Sequence, residues 1–141
     1  MRMLLALVLA LLARQALAAC TATAVPVIFG AYNPVSGQVL DSAGRVDVSC
    51  VPSAGYTISM SAGLGSYAAR QMASGPDRLE YNLYTDFART MVWGDGTPGS
   101  FTVGGTAGLT PVSRTVYGRI PGGQAVHAGA YSDTLLVTVS F

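Results

Sequence analysis

The side chains able to do chemistry are few and scattered. His127 is the single histidine and sits in a Gly/Ala-rich stretch, and no Gly-x-Ser-x-Gly elbow accompanies it and an acid, so no triad is assembled. A lone histidine in such a loop is read as a solvated side chain. Two cysteines, Cys20 and Cys50, with one histidine cannot complete a four-ligand zinc site. Asp86 and Asp95-Gly96 lack the spaced run of carboxylates of a calcium loop, and a turn accounts for Asp-Gly. No Gly-rich loop joins a strand to a helix, so no phosphate cradle is expected. These residues imply a non-enzymatic chain without cofactor or metal. The remaining chemistry is aromatic. Trp93 with Tyr81 and Tyr84 makes either a platform for a sugar ring or part of a packed interior, the usual place for large aromatics.

The cysteines depend on where the chain resides. Of 141 residues half are hydrophobic and only 11% charged, with a formal net charge of +1. Lysine is absent, and there is neither a basic patch for nucleic acid nor an acidic tail. Met1–Ala18 reads as a secretory signal peptide: Arg2, an apolar Met3–Ala13, and the small-residue cleavage site Ala16-Leu17-Ala18. The apolar run is too short to span a bilayer, Arg14 interrupts it, and no later stretch is a membrane span. Residues 19–141 then form one exported domain starting at Ala19 or Cys20. An even cysteine count in an exported chain suggests a Cys20–Cys50 disulfide, a closure that stabilises by about 3–4 kcal/mol. The alternative is that Leu17-Ala18-Ala19-Cys20 is a lipoprotein cleavage site and Cys20 carries lipid.

The elements that must position these residues are all strands. The pattern predicts strands at Thr23–Gly30, with Val25, Val27 and Phe29 on one face, at Arg45–Cys50, at Tyr56–Ser61, at Leu79–Thr85, at Phe101–Val103 and at Val112–Ile120. Pro26 argues for an edge position. Gly63–Asp77 reads as a polar loop, and Asn33–Gly37 and Trp93–Gly99 as turns. Many short strands between turns indicate a β-sandwich. The strongest strand lies in Gly129–Phe141, where Leu135, Val137, Val139 and Phe141 share one face and Thr134, Leu136, Thr138 and Ser140 the other. Nothing in the sequence follows Phe141 to pair with it. An apolar edge is a liability that proteins cover, so the expectation is that another polypeptide covers this one. Tyr131, just ahead of that strand, is either a packed aromatic or the corner tyrosine of immunoglobulin-like sandwiches, whose hydroxyl bonds back to the backbone.

Several motifs together resemble the spore coat protein U domain. They are Phe29-Gly30-x-Tyr32, Val48-x-Cys50, Tyr81-Asn82-Leu83-Tyr84-Thr85-Asp86, Ala88-Arg89-Thr90, Trp93-Gly94-Asp95-Gly96, Val116-Tyr117-Gly118-Arg119-Ile120-Pro121 and Gly129-x-Tyr131-x-Asp133-Thr134-x-x-Val137-Thr138-Val139. The resemblance covers Cys20–Phe141. The family is similar to the subunits of archaic chaperone–usher pili, adhesive fibres that promote biofilm. It implies an immunoglobulin-like β-sandwich lacking its last strand. The groove beside the final strand, with Leu135, Val137, Val139 and Phe141, would be filled first by a periplasmic chaperone and then by the N-terminal extension of another pilus subunit, with an outer-membrane usher as the assembly site. Fibre-forming members carry a donor segment ahead of the first cysteine, whereas here Cys20 follows the signal peptide almost at once. The expectation is a chain that accepts a strand without donating one.

The leading reading is an exported structural and adhesive subunit of a pilus-like surface assembly, completed by donor-strand addition. A secreted coat or matrix protein of the same fold that forms no fibre is the second. A carbohydrate-binding module using Trp93, Tyr81 and Tyr84 is the third.

Overall fold

The computed structural model describes residues 17–141; the signal peptide expected at 1–18 falls almost wholly outside them. Eight strands are formed: β1 Ala19–Val25, β2 Leu40–Val51, β3 Ala54–Met60, β4 Arg70–Ser74, β5 Asp77–Tyr84, β6 Val103–Ala107, β7 Val112–Ile120 and β8 Val137–Ser140. No helix occurs among the described residues, hence none long and apolar enough to cross a membrane. Two antiparallel sheets result, in the orders β1-β2-β7-β5-β4 and β6-β3-β8.

The period-two pattern is what makes the sandwich. On β2, Val46, Val48 and Cys50 are buried while Arg45, Asp47 and Ser49 between them are not. β3 does the same from the facing sheet with Tyr56, Ile58 and Met60. β7 contributes Val116 and Ile120, and β5 contributes Leu79, Tyr81 and Leu83. The two apolar faces meet in one interior. Gly118 on β7 is required by close approach. A Cβ there would run into Val27 and Phe29, two of the residues that the segment after β1 lays on the core. Phe29 meets Tyr81 edge-on, ring centroids 6.1 Å apart.

The predicted elements need four corrections. The first strand is Ala19–Val25 rather than Thr23–Gly30: Cys20 stands opposite Cys50, and pairing ends at Val25, ahead of Pro26, which has no N–H for a ladder. The polar loop predicted at Gly63–Asp77 contains β4, whose residues pair with β5 from Arg70↔Tyr81 to Ser74↔Asp77. Phe101–Val103 is not the strand; β6 runs Val103–Ala107 through Gly104-Gly105, where a Cβ on Gly105 would meet Arg114 and Tyr56. In the last stretch only Val137–Ser140 is strand. Phe141 lies beyond it, 63% exposed, because the pairing with β3 ends at Thr57↔Ser140.

Candidate functional site: the open edge of β8

Strand β8 is bonded on one side only. It pairs with β3, Met60↔Val137 through Thr57↔Ser140, and is last in its sheet. Just ahead of it, Ser61 N–H donates to Leu136 O at 2.9 Å, and Leu136 N–H donates to the Ser61 hydroxyl at 2.8 Å. Antiparallel pairing alternates, so Leu136, Thr138 and Ser140 turn their backbone groups to β3. Val137 and Val139 therefore turn theirs to the open side, where they have no partner among the described residues. The same two residues put their side chains against the core, while Thr138 and Ser140 are exposed. An unpaired backbone edge above an apolar face is the arrangement that accepts an added strand.

A cleft of about 1020 Å³ opens beside this edge. Residues 24–34 form one wall and residues 126–137 the other; Met60, Met72, Leu79, Leu83 and Ile120 reach its floor. Those floor residues belong to the core, so the cleft is a gap in the sandwich itself. Its volume lies at the top of the range for small-molecule pockets, about 300–1,000 Å³. Of the residues expected to line it, Leu135 and Val137 do. Val139 packs on the core outside the cleft lining. Phe141 does not line the cleft.

Two polar centres brace the segment that leads into β8. Asp133 accepts from the Tyr81 hydroxyl (2.6 Å), Leu64 N–H (3.3 Å) and Thr134 N–H (2.9 Å). Burial, then the bond to Asp133, pushes the Tyr81 hydroxyl far above its ordinary range, so it stays a donor. A Cβ at Gly63, which has φ +64°, would run into the same carboxylate. The second centre is Arg70 on β4, fully buried. Its guanidinium donates to Ser61 O, Asn82 Oδ1 and Trp93 O at 2.6–3.1 Å and lies 5.4 Å from the centre of the Tyr67 ring. Burial lowers its pKa, the cost of holding a cation there. Because Ser61 is bonded to Leu136, Arg70 links the edge of the first sheet to the start of β8. Sequence pattern alone, which reads Gly63–Asp77 as a polar loop, does not find this residue; only the Arg70–Met72 alternation beneath Tyr81 and Leu79 marks it as inward.

The other expected residues fall as follows. Cys20 and Cys50 are disulfide-bonded across β1 and β2, as the even cysteine count suggests. Trp93 is wholly buried with its Nε1–H donating to Ile58 O at 3.1 Å, and Tyr81 is buried as well. Only Tyr84 is partly exposed, so the three do not make a sugar platform: their ring faces are spent on packing. Tyr131 does bond back to the backbone, donating to His127 O at 2.7 Å. His127 is exposed, Nδ1 3.0 Å from Asp77 Oδ1. Asp86 accepts from the Thr90 hydroxyl and from Thr90 and Met91 N–H, bonds that hold its carboxyl below the usual range, and Asp95 likewise closes a turn onto Thr97.

These features define an immunoglobulin-like β-sandwich with one open sheet edge over a gap in its core. The chain belongs to the Spore Coat Protein U domain family, whose profile matches residues 6–138. It is 38% identical over 127 residues to "Protein U" of Myxococcus xanthus, an alignment spanning 80% of this chain and 70% of that protein. In fold it is similar to a chain in the crystal structure of the CsuC–CsuE chaperone–tip adhesion subunit pre-assembly complex, from archaic chaperone–usher Csu pili of Acinetobacter baumannii. The TM-score is 0.59 and the identity 23%, over 89% of this chain and 40% of that one.

Proposed function

We propose that this protein is an exported, non-enzymatic subunit of a chaperone–usher pilus-like surface assembly, completed by a strand donated beside β8. The observation that carries the reading is the coincidence of the unpaired backbone of Val137 and Val139 with an apolar cleft floored by core residues. In this reading the periplasmic chaperone supplies the strand first, another subunit replaces it, and the usher is the site of exchange; the fold shared with a chain of a chaperone–subunit complex supports a chaperone as partner. Adhesion is the role of the finished assembly. A second reading, a coat or matrix protein that forms no fibre, is favoured by the description of the family, Spore Coat Protein U domain.

Co-expression in a periplasm with a cognate pilus chaperone tests the reading. A one-to-one complex is expected, with the Val137 and Val139 amides protected from hydrogen exchange in the complex and not in the free chain. Val137→Asp, which puts a charge against the apolar floor, should abolish the complex. A stable monomer that forms no complex would overturn the proposal in favour of the coat or matrix reading.

A further inference from the structure

Leu135, Val137 and Val139 alternate inward, and Asp133 continues the alternation one step earlier: it is half-buried, between exposed Ser132 and Thr134. Its carboxylate therefore stands on the cleft side four residues ahead of β8, among the residues lining the cleft. It is held rigidly there by three donors, Tyr81, Leu64 and Thr134. Two carboxylate oxygens offer about four acceptor positions, so one stays free. No arginine or histidine nitrogen is within ion-pair distance of it among the described residues, in contrast to Asp41, Asp47 and Asp77, each of which has such a partner. Arg70, the nearby buried cation, gives its N–H groups to Ser61, Asn82 and Trp93. Arg45, which also borders the cleft, is turned to Asp47 at 3.0 Å. His127, the remaining titratable cation on the lining, is 3.0 Å from Asp77, so the cleft presents at one end of its apolar floor a carboxylate with no ion-paired or hydrogen-bonded cation, though the buried Arg70 acts on it at longer range.

We infer that Asp133 selects the donated strand by charge: the cleft takes an extended segment of alternating apolar residues that carries a basic side chain two positions beyond the residue facing Leu135. This rests on the strand-accepting reading above and adds its register. Along an extended strand, residues two apart share a face, so the basic group arrives on the same side as the apolar ones. A carboxylate with a free lone pair, screened from water by the incoming strand, favours an ammonium or guanidinium over a neutral group and disfavours an acid. The pairing also fixes register, since a slip of two residues would set the charge against the apolar floor.

Three synthetic peptides separate the possibilities, and their symmetry makes them indifferent to strand direction: Lys-Thr-Val-Thr-Val-Thr-Val-Thr-Lys, the same with Gln at both ends, and the same with Glu. Each is labelled and titrated against the exported chain by fluorescence anisotropy, in low salt and at about 0.5 M NaCl, where screening is nearly complete beyond a few ångströms. The Lys peptide should bind roughly two- to five-fold more tightly than the Gln peptide, and the Glu peptide more weakly than either. The ordering should shrink in high salt and vanish in Asp133→Asn, which keeps an acceptor for Tyr81. Equal binding of all three peptides, or a Lys preference that survives Asp133→Asn, overturns the charge selection and leaves strand acceptance standing. Failure of all three to bind overturns strand acceptance itself. Should Asp133→Asn not fold, the ordering on the unaltered chain and its loss in salt decide.

Discussion

Replacing Arg70 with methionine tests whether this buried cation fixes the start of β8. Methionine keeps much of the length and none of the donors. Ser61 O and Trp93 O then lose their partners, and Asn82 Oδ1 keeps only the Leu83 N–H at 2.9 Å. Each orphaned buried carbonyl costs about 1–3 kcal/mol, roughly 2–6 kcal/mol for the two. Part is returned, because the variant no longer desolvates a charge. A net loss of about 2–4 kcal/mol is expected, a large share of the roughly 5–15 kcal/mol that holds a domain together. Arg70→Lys should fall between, since one ammonium cannot span acceptors that a planar fork reaches together. Urea unfolding followed by the single tryptophan measures this directly: Trp93 is wholly buried and receives one of the broken bonds at its own carbonyl. Hydrogen exchange at Leu136 reads the local consequence, through Ser61. A loss under about 1 kcal/mol for Arg70→Met, with unchanged Leu136 exchange, would refute the reasoning.

Two further outcomes are expected. Reducing the Cys20–Cys50 bond, or replacing both cysteines with serine, should lower stability by about 3–4 kcal/mol, the closure entropy for a separation of 30 residues; peptide mapping without reductant should recover the linked pair. Acid should destabilise the fold through its aspartates. Hydrogen bonds from Arg119 to Asp41 and from Thr90 to Asp86 hold both folded-state values below the unfolded one, so their contribution is present above the unfolded value, near about 4, and is lost as pH falls through the folded values. Denaturation curves should therefore coincide between pH 7 and 5 and shift below about 4, and Asp41→Asn should flatten that shift.

The parts of the fold legible in the sequence are those where local pattern and burial agree. The inward rows Val46-x-Val48-x-Cys50 and Tyr56-x-Ile58-x-Met60 are buried as their alternation requires, and β7 has the predicted bounds. Glycine and polar content hid the rest. β6 carries Gly105 because Tyr56 and Arg114 crowd it from outside the strand, and β4 begins with an arginine that only a partner network can bury. The candidate site was legible as a parity, Leu135 and Val137 inward, and not as an extent: the alternation runs on to Phe141, while the pairing with β3 does not.

By itself the sequence determined an all-β chain, the pairing available to its two cysteines, and which face of the last strand is apolar, because each is a property of residue type and period along the chain. The tertiary structure alone decided that Trp93 is spent in the core, that Arg70 is buried and satisfied, and that β8 keeps one side of its backbone open over the cleft. Those depend on which distant segments supply acceptors and neighbours. A strand's pattern states what it can bury, and only the packing of the other strands settles whether anything is there to pair with it.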